Sequence, residues 1–212
     1  MSSVFVGGGG TAEQSLQFDN IYKEKVLDIE ARPSCLYIPL ALEKPRHNSA
    51  FEWFCETYSF FECPTLLRTV DDVIGDYTSI YLGGGYTHRL LYALGSLGLD
   101  GDYFSDAVTN GTIIYGGSAG GVLMGKSLLT AREVMRDPER YMHMSKIGFN
   151  LCQGMSIRPH FGNSSEERSA IDTLAKTEGI SIIALGEESG VIFCNSGSYE
   201  VFNENEVYEV HP

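Results

Sequence analysis

The sequence predicts one α/β domain: a doubly wound, mostly parallel sheet flanked by helices, with antiparallel hairpin strands at its C-terminal end. Three observations lead there. Short apolar runs alternate with helix-length amphipathic runs over the first two thirds of the chain, the pattern of βα units whose parallel strands are buried on both faces. Glycine clusters sit where an apolar run gives way to a helical one, at 7–10, 83–85 and 116–121. The last third then changes to closely spaced strand-like runs separated by turns. The 212 residues suit a single core, which stays efficient up to roughly 250 residues, and no linker or internal repeat divides residues 1–212.

The elements follow in order. Residues 4–6 are a short apolar strand that ends in glycines, and 15–30 carry Leu16, Phe18, Ile21, Tyr22 and Val26 on one helical stripe. The apolar run 35–40 stops before Glu43-Lys44-Pro45. Asn48 or Ser49 can cap the next helix, whose face Phe51, Phe54, Cys55, Tyr58 follows i, i+3, i+4, i+7 spacing. Residues 65–70 and 79–82 read as strands, 87–97 as a helix, 112–115 as a buried strand and 119–129 as a helix. Residues 130–150 are polar, contain Pro138 and carry both signs of charge, so they read as a long connection over the surface. A short strand at 156–158 precedes a helix at 165–178, with Glu166 and Glu167 in its first turn where the dipole favours acids. Strands at 180–185, 191–194, 199–202 and 207–210, joined by turns such as 195–197, are expected to extend the sheet at one edge.

Composition narrows the partners. A net charge of −13 repels phosphate backbones, so nucleic acid is not an expected partner. No run reaches the ~20 apolar residues of a membrane helix, and the N-terminus lacks the basic and apolar regions of a signal peptide; the expected setting is cytoplasmic, with no membrane partner. Five cysteines without a CxxC pair read as reduced core residues, with neither a disulfide framework nor a zinc site. The unusual number is glycine, 24 of 212 residues against a usual ~7%. With no Gly-X-Y period, the excess marks particular backbone positions.

The third cluster is the most informative. Gly116-Gly117-Ser118-Ala119-Gly120 matches G-x-S-x-G between an apolar strand and a helix, the context of a nucleophile elbow, where small neighbours make room for a sharp turn. The amide of Ala119 can then donate to an oxyanion. The first cluster is no Walker loop, since no Gly-Lys-Ser/Thr follows, and no acid directly ends the second strand as a dinucleotide site requires. A serine nucleophile needs a base. His160, in Pro159-His160-Phe161, lies in a strand-end loop, whereas His47, His143 and His211 lie in polar stretches and His88 reads as a helix-start surface residue. Glu187 and Glu188 also follow a strand and can orient an imidazole or simply make a charged turn.

These residues carry a resemblance. Ile80-Tyr81-Leu82-Gly83-Gly84-Gly85, Gly117-Ser118-Ala119-Gly120, Pro159-His160-Phe161 and Leu185-Gly186-Glu187-Glu188 together resemble the peptidase E family of serine peptidases, which includes cyanophycinases. The resemblance spans most of the chain and implies a flavodoxin-like, class I glutaminase-like sheet. It implies Ser118 as nucleophile, His160 as general base and then acid, and Glu188 as the orienting carboxylate. The family's acid stands three residues before the next apolar strand, here Val191-Ile192-Phe193. It further implies an oxyanion hole from the amides of Gly85 and Ala119 and no metal or cofactor.

The sequence departs from that family at Tyr86, where it usually has Asn, and at Gly121 and Val122, where peptidase E has Ala-Asn. Peptidase E prefers aspartate on the acyl side and opens its post-histidine helix with two arginines; here Ser165 replaces the first and Arg168 keeps the second. Arg168 and Tyr86 are therefore the expected substrate contacts, with Arg158 and Arg89 also flanking the motifs. The expected function is hydrolysis of small peptides, Asp-X dipeptides among them, through an acyl-enzyme. The alternatives are β-aspartyl or cyanophycin-like peptides or esters with the same triad, or a silent member that binds a peptide or metabolite. The terminal hairpins offer an edge on which two copies could pair into a homodimer.

Overall fold

Five strands run parallel: β1 (Ser3–Gly7), β2 (Ser34–Ile38), β3 (Cys63–Leu66), β4 (Ser79–Leu82) and β5 (Ile113–Gly117). Their connections carry α1 (Ala12–Ile29), α2 (His47–Thr57), α3 (Thr87–Ser96) and α4 (Gly101–Thr109). The sequence reading lacks α4; its signal is Asp100, whose side chain caps the helix by accepting from the amides of Asp102 and Tyr103. This architecture is that of a computed structural model describing residues 3–194 and 196–212. Asn195, in the expected 195–197 turn, lies outside the described residues.

Strand alternation divides the core by chemistry. Val4, Val6, Leu36, Ile38, Ile80, Leu82 and Ile114 face an aliphatic core with Leu90, Leu94 and Phe104 from α3 and α4. Their neighbours Phe5, Tyr37, Tyr81 and Tyr115 point the other way, into an aromatic core with Phe18, Tyr22 and Val26 of α1 and Phe54 of α2. Period-two side chains on strands buried on both faces produce this division.

The C-terminal strands correct the expected single sheet. β8 (Gly190–Cys194) pairs antiparallel with β1, and β9 (Tyr199–Phe202) with β8, giving a seven-stranded sheet of order β3-β2-β4-β5-β1-β8-β9. The other two C-terminal strands leave that sheet. β7 (Ser181–Leu185) lies between β6 (Met155–Arg158), parallel to it, and β10 (Val207–Val210), antiparallel to it, in a separate three-stranded sheet. Ile182 and Ala184 of β7 pack on Ile171 and Ala175 of α8 (Ser165–Glu178), while Ile183 and Leu185 join the aliphatic core. Both faces of β7 are thus covered, which is why that strand is apolar without alternation. Among the described residues no helix is long and apolar enough to cross a membrane.

One polar group is built into the aromatic core. Asp19 of α1 is buried, and its carboxylate accepts from Tyr115 Oη at 2.7 Å, Ser15 Oγ at 2.7 Å and Tyr58 Oη at 3.0 Å. Burial raises its pKa, and the three hydroxyls, led by Tyr115, oppose that rise. The folded state therefore binds this proton more tightly than the unfolded chain, and stability falls as pH rises through the window above the unfolded value. Removing a hydroxyl enlarges the effect. Tyr115→Phe is expected to cost about 1–3 kcal/mol of unfolding free energy at neutral pH, and less under mildly acidic conditions, measured by urea denaturation. A loss that grows on acidification would contradict this reading of Asp19.

Candidate active site

The two sheets meet at their carboxyl ends, and three strand-end loops converge there. Ser118 follows β5, His160 follows β6 and Glu187 follows β7. Ser118 Oγ lies 2.8 Å from His160 Nε2, and His160 Nδ1 lies 3.3 Å from Glu187 Oε1. With Nδ1–H donating to the carboxylate, Nε2 is left as the acceptor of the serine proton. The carboxyl of Glu187 is held below the usual carboxylate range, first by the amide of Gln14 and next by His160.

Backbone strain marks the same residues. Ser118 has φ 51° and ψ −111°, and His160 has φ 54°. Neither is glycine, asparagine or aspartate, so each conformation is held by its surroundings. At Ser118 the strain is that of an elbow between β5 and the short α5 (Ala119–Met124). Gly120 permits it, because a Cβ there would stand 2.7 Å from Leu82 Cβ.

The first glycine cluster has a role that the sequence reading did not see: it is the floor beneath the histidine. Gly9 has φ +95°, and a Cβ on it would lie 2.6 Å from His160 Cε1 and 2.7 Å from Nε2. The amide of His160 donates to the Gly8 carbonyl at 2.8 Å, and the Gly8 amide donates to the Ser189 carbonyl at 2.9 Å. One loop of β1 therefore carries both His160 and the turn that presents Glu187.

Several expectations change here. Glu188, expected to orient the imidazole, is exposed, and its amide donates to Glu206 at 3.1 Å; Glu187 bonds to His160 instead. The shift follows from β8 starting at Gly190 rather than Val191, which moves the three-residue offset to Glu187. Arg168 lies away from the serine: its guanidinium donates to Asn163 Oδ1 at 2.7 Å from Nε and stacks 4.8 Å over the Tyr208 ring. Arg158 is buried and paired with Glu167 at 3.7 Å, and Arg89 pairs with Glu43 at 3.4 Å behind Tyr86. Tyr86, Gly85 and Ala119 line the same cavity of about 410 Å³ as Ser118 and His160.

Arginines do reach that cavity, from the stretch read as a surface connection. Residues 130–150 fold into α6 (Arg132–Arg136) and α7 (Pro138–Tyr141), and Arg132, Arg136 and Arg140 line the cavity wall. The two acids that line the cavity with them already serve backbone amides: Glu133 accepts from Thr87 at 2.8 Å and Asp137 from Arg140 at 3.3 Å. Among the described residues no carboxylate comes within 4.0 Å of the Arg132 or Arg136 guanidinium. His88, expected at the surface, is buried under this segment, where its Nε2 donates to the Ser145 carbonyl at 3.0 Å and its ring packs 5.1 Å from Tyr141. The sequence signal was the spacing of Arg132, Arg136 and Arg140 at i, i+4, i+8, masked by Pro138.

The sequence matches the model of peptidase family S51 over residues 4–201. The chain belongs to peptidase family S51. That is the family of serine peptidases which the motifs resembled, and its members are hydrolases. A peptidase from an acI-B1 Actinobacterium has a similar structure, with TM-score 0.65 and 16% identity over 95% of this chain and 87% of that one. A putative peptidase E protein from Listeria monocytogenes EGD-e aligns with TM-score 0.65 and 14% identity over 100% and 99% of the two chains. At these identities the likeness is one of fold. No curated protein matches the sequence.

The floor beneath His160 generates a test. Gly9→Ala adds a methyl where the imidazole stands, in a conformation costly for any side chain. A crystal structure of the variant is expected to show the Ser118–His160 distance opened beyond about 3.5 Å, outside hydrogen-bond range. An unchanged distance would show that the loop does not set the histidine.

Proposed function

We propose that this S51 peptidase cleaves small peptides with an acidic side chain on the acyl side of the bond, through an acyl-enzyme on Ser118. The observation that supports it is the continuous hydrogen-bonded array of Ser118, His160 and Glu187 opening into an arginine-walled cavity. The serine oxygen attacks the carbonyl carbon while His160 Nε2 takes its proton. Glu187 stabilises the resulting imidazolium through Nδ1. Negative charge on the tetrahedral oxygen is received by the amides of Ala119, at the start of α5, and Gly85, each worth ~3 kcal/mol of transition-state stabilisation in such sites. His160 then protonates the leaving amine, and water, deprotonated by the same nitrogen, releases the acid and frees Ser118.

The specificity reading rests on charge. A protein of net charge −13 repels acidic peptides at long range, so any preference for them has to be local. Arg132, Arg136 and Arg140 supply that cation, and a guanidinium fork binds a carboxylate in two parallel hydrogen bonds. Arg168, engaged with Asn163 and Tyr208, takes no part.

Ser118→Ala is expected to abolish peptide turnover with the melting temperature unchanged; full turnover would remove Ser118 from the mechanism. Glu187→Gln is expected to cut kcat far more than Glu188→Gln, and the reverse ranking would return the role to Glu188. For specificity, Asp-X and Ala-X dipeptides are compared. Arg132→Ala and Arg136→Ala are expected to lower kcat/KM for Asp-X at least tenfold, a loss of about 1.4 kcal/mol, with Ala-X little changed. Arg168→Ala should leave both alone. Equal losses on both substrates would contradict carboxylate reading by this wall.

A further inference from the structure

We propose that Gln14 is a positioning residue for the hydrolytic array, holding one oxygen of Glu187 so that the other faces His160. The inference rests on the hydrolytic reading of Ser118, His160 and Glu187. Gln14 stands in the first turn of α1, where Thr11 caps the helix. The two residues form a reciprocal box: the Thr11 amide donates to Gln14 Oε1 at 2.9 Å, and the Gln14 amide donates to Thr11 Oγ1 at 3.4 Å. That box uses the acceptor end of the Gln14 side chain, so the donor end is the one that projects onward. It meets Glu187, with Nε2 donating to Oε2 at 2.9 Å.

The carboxylate needs such a restraint. The Glu187 side chain is about half exposed, at 48%, and its contact with His160 is long at 3.3 Å. A glutamate so exposed has several rotamers open to it, and only one presents Oε1 to Nδ1. Gln14 reaches it across a backbone contact of fixed depth: a Cβ on Gly10 would stand 2.5 Å from the Glu187 carbonyl oxygen and 2.9 Å from Gln14 Cβ. Helix start, glycine loop and acid turn are therefore packed as one unit. The donor also favours the ionised carboxylate, with His160 and more weakly Arg132 acting in the same direction.

A purely structural Gln14, serving only to cap α1, is separable by experiment. Gln14→Glu keeps the capping acceptor, since glutamate fills that position of the box as well as glutamine, but it has no donor for Glu187. Gln14→Ala loses both. Each is made alone and combined with Glu187→Gln. Peptide hydrolysis, thermal melting and the titration of 13C-labelled Glu187 are then followed. Gln14→Glu is expected to melt at or above the wild-type temperature, yet to lose about tenfold in kcat with KM nearly constant. In both single variants the Glu187 titration is expected to move to higher pH. In the Glu187→Gln background, Gln14→Ala is expected to cost no further activity, the coupling expected of residues that act through one another. Wild-type kcat in Gln14→Glu with an unmoved Glu187 titration would overturn the proposal. Full activity in Glu187→Gln alone would instead overturn the hydrolytic role of the array on which it rests.

Discussion

The contact on which the site depends is between backbones. The loop after β1 lies against both His160 and the 186–189 turn, with Gly8 bonded to the His160 and Ser189 main chains and Gly9 directly under the imidazole. Ser118 follows a strand of the seven-stranded sheet, while His160 and Glu187 follow strands of the three-stranded one. The array exists only if the two sheets keep their relative positions to within a few tenths of an ångström, and side chains at this seam would hold them apart. Glycine is the residue that lets one chain sit on another at that distance. The surplus of glycine in the composition is in part the chemical signature of this seam.

Around the seam the molecule sets its charges locally. The surface is strongly acidic, yet the cavity beside Ser118 is walled by arginines whose nearest acids are committed to helix-start amides. Glu187 stays ionised because donors reach it from α1 and from the imidazole. Beneath, Asp19 is kept buried by tyrosine hydroxyls from α2's C-cap and β5, fixing α1 on the sheet and with it the helix start that carries Gln14. Helix placement, carboxylate orientation and histidine position form one mechanical chain from core to site.

Local signals were legible in the sequence, and non-local ones were not. The elbow at Ser118 shows itself by small residues between an apolar strand and a helix, and α8 by its early acids. The separate sheet does not show, because nothing within β6, β7 or β10 marks its partner and their pairing depends on contacts distant in sequence. Glu187 and Glu188 are indistinguishable by type; the choice turns on whether β8 begins at Gly190 or Val191, and glycine hides a strand start. The arginine wall was lost in a polar stretch broken by Pro138, where two short helices carry too little apolar pattern to be read. Gln14 falls just before the helix read at 15–30, whereas α1 begins at Ala12, and nothing in a single sequence says what lies opposite it.

On the proposed mechanism, the seam activates Ser118 as a nucleophile through His160 and Glu187. That activation is read out by the rate at which a fluorophosphonate attaches to the protein, with the adduct located by peptide mass spectrometry. One adduct is expected, on Ser118, formed rapidly by the wild-type chain and at least tenfold more slowly in Glu187→Gln. No labelling of Ser118, or labelling at the same rate without the Glu187 carboxylate, would contradict it.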